Sequence, residues 1–286
     1  MPVHDLCGKL RLRGATGAWG HSQQMAEGSS DRRLFRGSLP AIAVAVALAC
    51  LFIAIGAPLL GLNSEMAVFL FDYSDKSFFW PVYPFTIQNL MYVMTAVGLG
   101  DLWARWRATS RESVYLRMKL LPEDDNTILQ IDELGPIRRR VAGLKADEYA
   151  FLPRLLDLSV LQLMTSKSLD QTVAIFTSTL DLMTHRVDLS YQTSRFLVWF
   201  IPTTGFIGTV VGISISLEGM KDSRAIAFDK VTAGLAVAFY TTIIALVLSA
   251  VLVFLQNVVQ RREELTLNRA ADYCLKNLVN RVYTHE

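Results

Sequence analysis

The sequence predicts an all-α integral membrane protein with four transmembrane helices and long cytoplasmic helical extensions. Three observations predict it. Apolar residues make up 52% of the 286-residue chain and charged residues 19%, with a mean hydropathy of +0.32, whereas soluble domains carry about 25% charge. The apolar excess is gathered into uncharged runs of membrane-crossing length. The basic residues, in turn, are sorted into alternate connecting segments.

Residues 1–38 are rich in Gly, Ser and charge and show no periodicity. They read as a disordered basic leader that sets topology, and no cleaved signal peptide is expected. Residues 39–100 hold the first two spans and a short periplasmic loop. The first run, Ala41 to Leu62, carries no charge, and a helix of that length reaches about 33 Å, enough for a hydrocarbon core of about 30 Å. The second, about Phe78 to Leu99, is weaker. It contains Gln88 and Asn89, Pro81 and Pro84 break its start, and Trp80 and Tyr83 suit an interface. Its ordered helix is expected to begin near Pro84.

Residues 101–195 read as a cytoplasmic helical domain with 13 basic and 13 acidic residues. Leu121 to Asp125 and Leu134 to Pro136 look like turns or helix boundaries. No glycine or proline interrupts Arg154 to Ile201, so the third membrane helix is expected to extend out of the membrane as a long rod, with or without a break. Arg138-Arg139-Arg140 reads first as a solvated helix face or lipid-headgroup contact, and second as a phosphate or partner-docking site. Residues 196–257 form the expected channel core: the third run is Phe196 to Leu217, the fourth is Val231 to Leu255, and a short connector makes them an antiparallel hairpin. Residues 258–286 form a C-terminal cytoplasmic helix.

Six basic residues lie in the leader, thirteen in 101–195 and five after Gln256, against four in the two remaining loops together. The positive-inside rule then places both termini and the large middle segment in the cytoplasm of a multi-pass inner-membrane protein. Cys7, Cys50 and Cys274 are dispersed and odd in number, and four scattered histidines offer no ligand spacing. No phosphate-binding loop, nucleophile elbow, zinc motif or dinucleotide fingerprint is present, so neither an enzyme, a cofactor nor a metal site is expected. The balanced charge gives no reason to expect nucleic acid.

The last two runs carry the information. On a helix, Gly205, Thr209, Gly212 and Ser216 fall within about 60° of one another, flanked by Pro202 and Gly208, while Ile207, Val210, Val211 and Leu217 occupy the other side. The fourth run repeats the design with Gly234, Ala238, Thr241, Ala245 and Ser249, and Thr242 lies at the edge. Small stripes of this kind promote close helix packing. Their hydroxyls would also give a ring of subunits a polar belt that lipid cannot supply.

The stretch P-x-x-G-x-x-G-T-V-x-G at Pro202 to Gly212, followed by A-x-x-x-T-x-x-x-L at Ala238 to Leu246, resembles the last two helices of the MotA/TolQ/ExbB proton channel family. The first half is closer to ExbB and TolQ, and the four-span layout is closer to MotA. The likeness covers about residues 195–260. ExbB and TolQ place a glutamate just before the alanine of the fourth-span motif, where this chain has Val237, which again tilts towards MotA. The resemblance implies a homopentameric ring around a dimer of single-span MotB/ExbD/TolR-like partners, each bringing a membrane aspartate. It also implies a stator unit in which the proton (or sodium) motive force drives rotation. The family's pore threonines align with Thr209 and Thr242, and Thr241 and Ser216 are expected beside them in the ion path. Pro202, Gly205, Gly208, Gly212, Gly234, Ala238 and Ala245 are expected to set helix packing and pore geometry. None of the four runs contains Asp, Glu, Lys, Arg or His, so the chain has no titrating carrier of its own. Two other readings stay open: a non-conducting scaffold that oligomerises through its small-residue faces, and a self-contained transporter, although no internal repeat or buried charge marks one.

Overall fold

The structure is a computed structural model that describes residues 38–61, 64–72, 85–123, 129–130, 133–144, 150–220 and 228–282. The leader, the start of the second run with Pro81 and Pro84, and most of the connector between the third and fourth runs lie outside the described residues. Among those described there is no strand, only an isolated parallel bridge between Leu129 and Val282.

Among the described residues, three helices are long and apolar enough to cross a membrane: α1 (Ser38–Leu60), the stretch Leu169–Gly219, and the last long helix. The short α2 (Glu65–Phe71) starts at Ser64, whose side chain accepts from the Ala67 N–H at 3.1 Å. Next, α3 (Ile87–Arg117) starts at Thr86, which accepts from the Asn89 N–H at 3.2 Å. Each hydroxyl satisfies a donor that the first helical turn leaves open. The Thr86 hydroxyl also lies 3.3 Å from the Phe71 carbonyl, joining the end of α2 to the start of α3.

α1 and α3 run antiparallel. The Phe52 and Tyr92 rings meet edge to face, and two turns and more away Gly100 sits so close to α1 that an added Cβ would lie 2.7 Å from the Ile42 Cα. The first half of α3 therefore lies alongside α1. α3 does not stop at residue 100, where the sequence places a domain boundary. It continues to Arg117, because nothing between Gly100 and Arg117 breaks a helix.

The expected rod does break, at Lys167. This residue ends α5 (Phe151–Ser166) in a left-handed conformation, φ 53°, although it is neither glycine nor asparagine. Beyond it, α6 (Leu169–Ser190) passes through a one-residue turn at Tyr191 into α7 (Gln192–Gly219). The 50-residue α8 (Phe228–Asn277) returns antiparallel and is about 75 Å long. Its far end, a 3-10 turn at Val279–Arg281, the short α4 (Leu134–Gly143) and α5 close a leucine core of Leu134, Leu152, Leu155, Leu156, Leu163 and Leu267, which also holds the fully buried Cys274. Leu134 to Pro136 is a helix boundary, as its sequence predicts: it forms the first turn of α4. Within the triple arginine, Arg138 pairs with Asp157 at 2.9 Å, and Arg139 and Arg140 form an exposed helix face.

Glu112 ties α3 to α5. It is only 4% exposed, and its carboxylate accepts the Leu152 N–H at 2.7 Å in the first turn of α5, where a negative charge is favoured. Burial nevertheless outweighs this and holds its carboxyl above the ordinary carboxylate range. A raised native value means that the folded protein binds this proton more tightly than the unfolded chain does. Its contribution to stability is present below the unfolded carboxyl value and lost as pH rises through the folded one. Glu112→Gln keeps the acceptor and removes the titration. Thermal melts in detergent should show a flatter decline above about pH 4.3 than wild type, and Glu112→Leu should cost about 1–3 kcal/mol at every pH.

Candidate ion path at the α7–α8 hairpin

α7 and α8 pack through residues with almost no side chain. Gly205, Gly208, Gly212, Gly234, Ala238 and Ala245 are all buried in their seam. A Cβ added to Gly212 would lie 2.5 Å from the Gly234 carbonyl and 2.7 Å from the Ala238 nitrogen. One on Gly234 would lie 2.6 Å from the Gly212 carbonyl, and one on Gly208 would lie 2.5 Å from the Thr241 hydroxyl. Gly205 faces Ala245 in the same way. Backbone thus meets backbone at Gly212 and Gly234 and meets the short side chains of Thr241 and Ala245 at Gly208 and Gly205, an approach that glycine permits.

Pro202 lies inside α7. Having no N–H, it cannot bond the carbonyl four residues back, that of Val198. The Ser249 hydroxyl of α8 donates to that carbonyl at 3.0 Å. Ser249 is therefore the partner of the proline. Sequence reasoning placed it in the small stripe without assigning it a task, and the available signal was a hydroxyl in α8 opposite an in-helix proline.

The four hydroxyls expected along the ion path separate into two pairs. Thr241 and Ser216 are 1% and 3% exposed and lie in the seam itself. Thr241 is bonded to the Val237 carbonyl at 2.9 Å, and Ser216 lies 3.0 Å from the Gly212 carbonyl and 2.9 Å from that of Val231, across the seam. In the single chain both are packed between the two helices, and Ser216 links them. Thr209 and Thr242 are half-buried and bond only their own helices, to the Phe206 carbonyl at 2.6 Å and the Ala238 carbonyl at 2.9 Å.

The two pairs separate because α3 covers one groove of the hairpin. At Gly98 an added Cβ would meet Leu252 of α8 at 2.9 Å and Leu197 of α7 at 3.5 Å. On a helical projection Thr209 and Thr242 fall on the other side of the seam, both turned away from Leu197 and Leu252 by about 80–120°. They border the groove that α3 leaves uncovered, next to the exposed Phe206, Ile213 and Leu246.

Below this region a polar cluster fastens α3, the α6–α7 turn and α8. Arg105 pairs with Asp101 at 2.9 Å, donates to the Ser190 hydroxyl and carbonyl, each at 2.5 Å, and lies 4.7 Å above the Tyr191 ring. The fully buried Tyr191 donates to Glu263 at 2.7 Å. Burial pushes both the Tyr191 phenol and the Glu263 carboxyl up. Arg262 stacks on Trp106, 3.9 Å from its centroid. This cluster joins positions as far apart in the chain as Asp101 and Glu263, and no spacing in the sequence announces it.

Membrane-length helices joined through a glycine seam define an α-helical membrane protein, and the hairpin carries a hydroxyl-bearing groove that α3 leaves uncovered. Residues 148–271, α5 through most of α8, match the MotA/TolQ/ExbB proton channel family. No curated protein matches the chain.

Proposed function

We propose that the chain is the ion-channel, stator-type subunit of an ion-motive-force-driven membrane motor in the bacterial inner membrane, with both termini cytoplasmic. In this reading it forms a pentamer around a dimer of single-span MotB/ExbD/TolR-like partners, and proton or sodium flow is coupled to rotation. The observation that carries the proposal is the position of Thr209 and Thr242. Within the family-matched segment, they border the groove of the hairpin that the described helices leave open.

Three further points support it. The first half of α3 lies alongside α1 and packs on α7 and α8, which favours a fourth membrane crossing. Its lower hydropathy comes from Gln88 and Asn89, both buried against protein rather than lipid. Residues 196–217 and 231–255 contain no Asp, Glu, Lys, Arg or His, and a bare charge at mid-membrane costs at least about 2.5–3.5 kcal/mol. The ion therefore needs a carboxylate from another chain, and the threonine hydroxyls are placed to hydrogen-bond it. Neutralising that carboxylate releases it from one subunit's hydroxyls so that it can step to the next. Finally, the small residues on which a scaffold would rely to oligomerise are already used within the chain, between α7 and α8.

The test is proton and sodium flux in proteoliposomes holding the chain and its single-span partner. Thr209→Val and Thr242→Val keep shape and remove the hydroxyl. Each should lower flux about tenfold, the effect of losing one hydrogen bond to a charged group worth about 1.5 kcal/mol. Wild-type flux and wild-type motor output from the double variant would overturn the proposed path.

A further inference from the structure

A cavity of about 760 Å³ opens between the first turns of α1, the second half of α3, α5 and α6, within the size range of ligand sites. Five arginines and three carboxylates line it. The carboxylates are each engaged: Asp101 by Arg105, Glu112 by the Leu152 N–H, and Glu263 by the Tyr191 hydroxyl. Five arginines against three carboxylates leave the lining with a net positive charge. The rest of the lining is mostly apolar and includes Val44, Ala108, Phe151 and Met183, a surface that a free inorganic anion would not use.

The cavity also continues into a lipid-facing surface. Val44 both lines the cavity and is 60% exposed, and Leu48, one turn further along α1, is 60% exposed as well. Trp103, at the same level of α3, is a large exposed aromatic of the kind that settles at membrane interfaces. Asp101 is the first charged residue after the apolar half of α3, so the cavity lies where α1 and α3 leave the hydrocarbon layer.

We propose that this cavity binds the phosphate headgroup of an anionic membrane lipid, with Arg107 and Arg186 supplying charge and the acyl chains running along α1 past Val44 and Leu48. The lipid would fill the space between α1 and the α5–α6 body and fasten the membrane helices to the parts outside the membrane. This inference requires α1 to cross the membrane and is independent of the ion path.

The experiment is native mass spectrometry of the full chain released from detergent, titrated with phosphatidylglycerol, phosphatidylcholine or inorganic phosphate. Phosphatidylglycerol should be retained in preference to phosphatidylcholine. The double variant Arg107→Gln/Arg186→Gln should weaken that preference by about tenfold or more, since each arginine near a lipid surface is worth about fivefold. Arg107→Lys/Arg186→Lys should keep most of it, which separates lost charge from lost folding. Ala108→Trp, which fills the cavity without changing charge, should reduce binding of phosphatidylglycerol. Equal retention of both lipids, an unchanged preference in the glutamine variant, or displacement of phosphatidylglycerol by millimolar phosphate would each overturn the proposal, the last by showing a free-phosphate site.

Discussion

Gly212→Val should separate α7 from α8 and prevent accumulation of the folded protein. The branched side chain would have to enter a space where a single Cβ already lies 2.5 Å from the Gly234 carbonyl and 2.7 Å from the Ala238 nitrogen. The opposing atoms are backbone within the first quarter of a 50-residue helix, so no rotamer change relieves the clash. Overpacking in a core that can adjust costs about 1–3 kcal/mol, and here the loss should exceed that range. Separation of the helices would also break the Ser216 bond to Val231 and the Ser249 bond to Val198. Detergent-extracted protein should show a collapsed yield on size exclusion, and what remains should melt well below wild type. Gly212→Ala should give a smaller shift in the same direction. Gly135→Ala is the control, because a Cβ there meets nothing within 4 Å and should stay within about 0.5 kcal/mol of wild type. A Gly212→Val protein that melts with wild type would show that the seam is looser than described.

Arg105→Met should have the second-largest effect, through a different mechanism. Arg105 and Asp101 have side chains only 18% and 14% exposed, and the guanidinium also bonds Ser190 and covers the Tyr191 ring. Methionine replaces the stem but leaves the largely buried Asp101 carboxylate without the guanidinium it pairs with. Removing one partner of a buried pair costs about 3–5 kcal/mol, and the residual exposure here lowers the expectation to about 2–4 kcal/mol. Arg105→Lys should recover less than half of the loss, because an ammonium cannot reproduce the fork that reaches Asp101 and Ser190 together. Asp101→Asn in the methionine background should recover part of it by removing the stranded charge. Thermal melting of the four proteins in one detergent measures all of this, and equal stability of wild type and Arg105→Met would show that the cluster is not a fastening.

Much of the architecture was legible because a bilayer imposes length and charge rules on any chain. The uncharged runs at Ala41 to Leu62, Phe196 to Leu217 and Val231 to Leu255 had to be helices of crossing length, and the proline–glycine–threonine spacing from Pro202 to Gly212 carried the family likeness. The long rod was legible with its break left open: helix continues from Leu169 to Gly219 with only the turn at Tyr191, and the break falls earlier, at Lys167, where no composition rule forces a left-handed lysine. Hydroxyls on one helical stripe looked equivalent in sequence because periodicity fixes only an angle around a helix axis. Whether that angle meets a neighbour or open space depends on where the neighbour lies.

The sequence by itself therefore determined that the chain is a helical membrane protein, where its apolar helices run and which two helices carry the channel-family pattern, because these depend on local hydropathy and spacing. Only the tertiary structure decided the division of labour among the hydroxyls. By occupying one groove of the hairpin, α3 left Thr209 and Thr242 bordering the other, while glycine-to-backbone contact sealed Thr241 and Ser216 between the helices. Tertiary packing likewise assembled Arg105, Tyr191 and Glu263 into one cluster, since contacts between residues so distant along the chain arise only when separate helices meet.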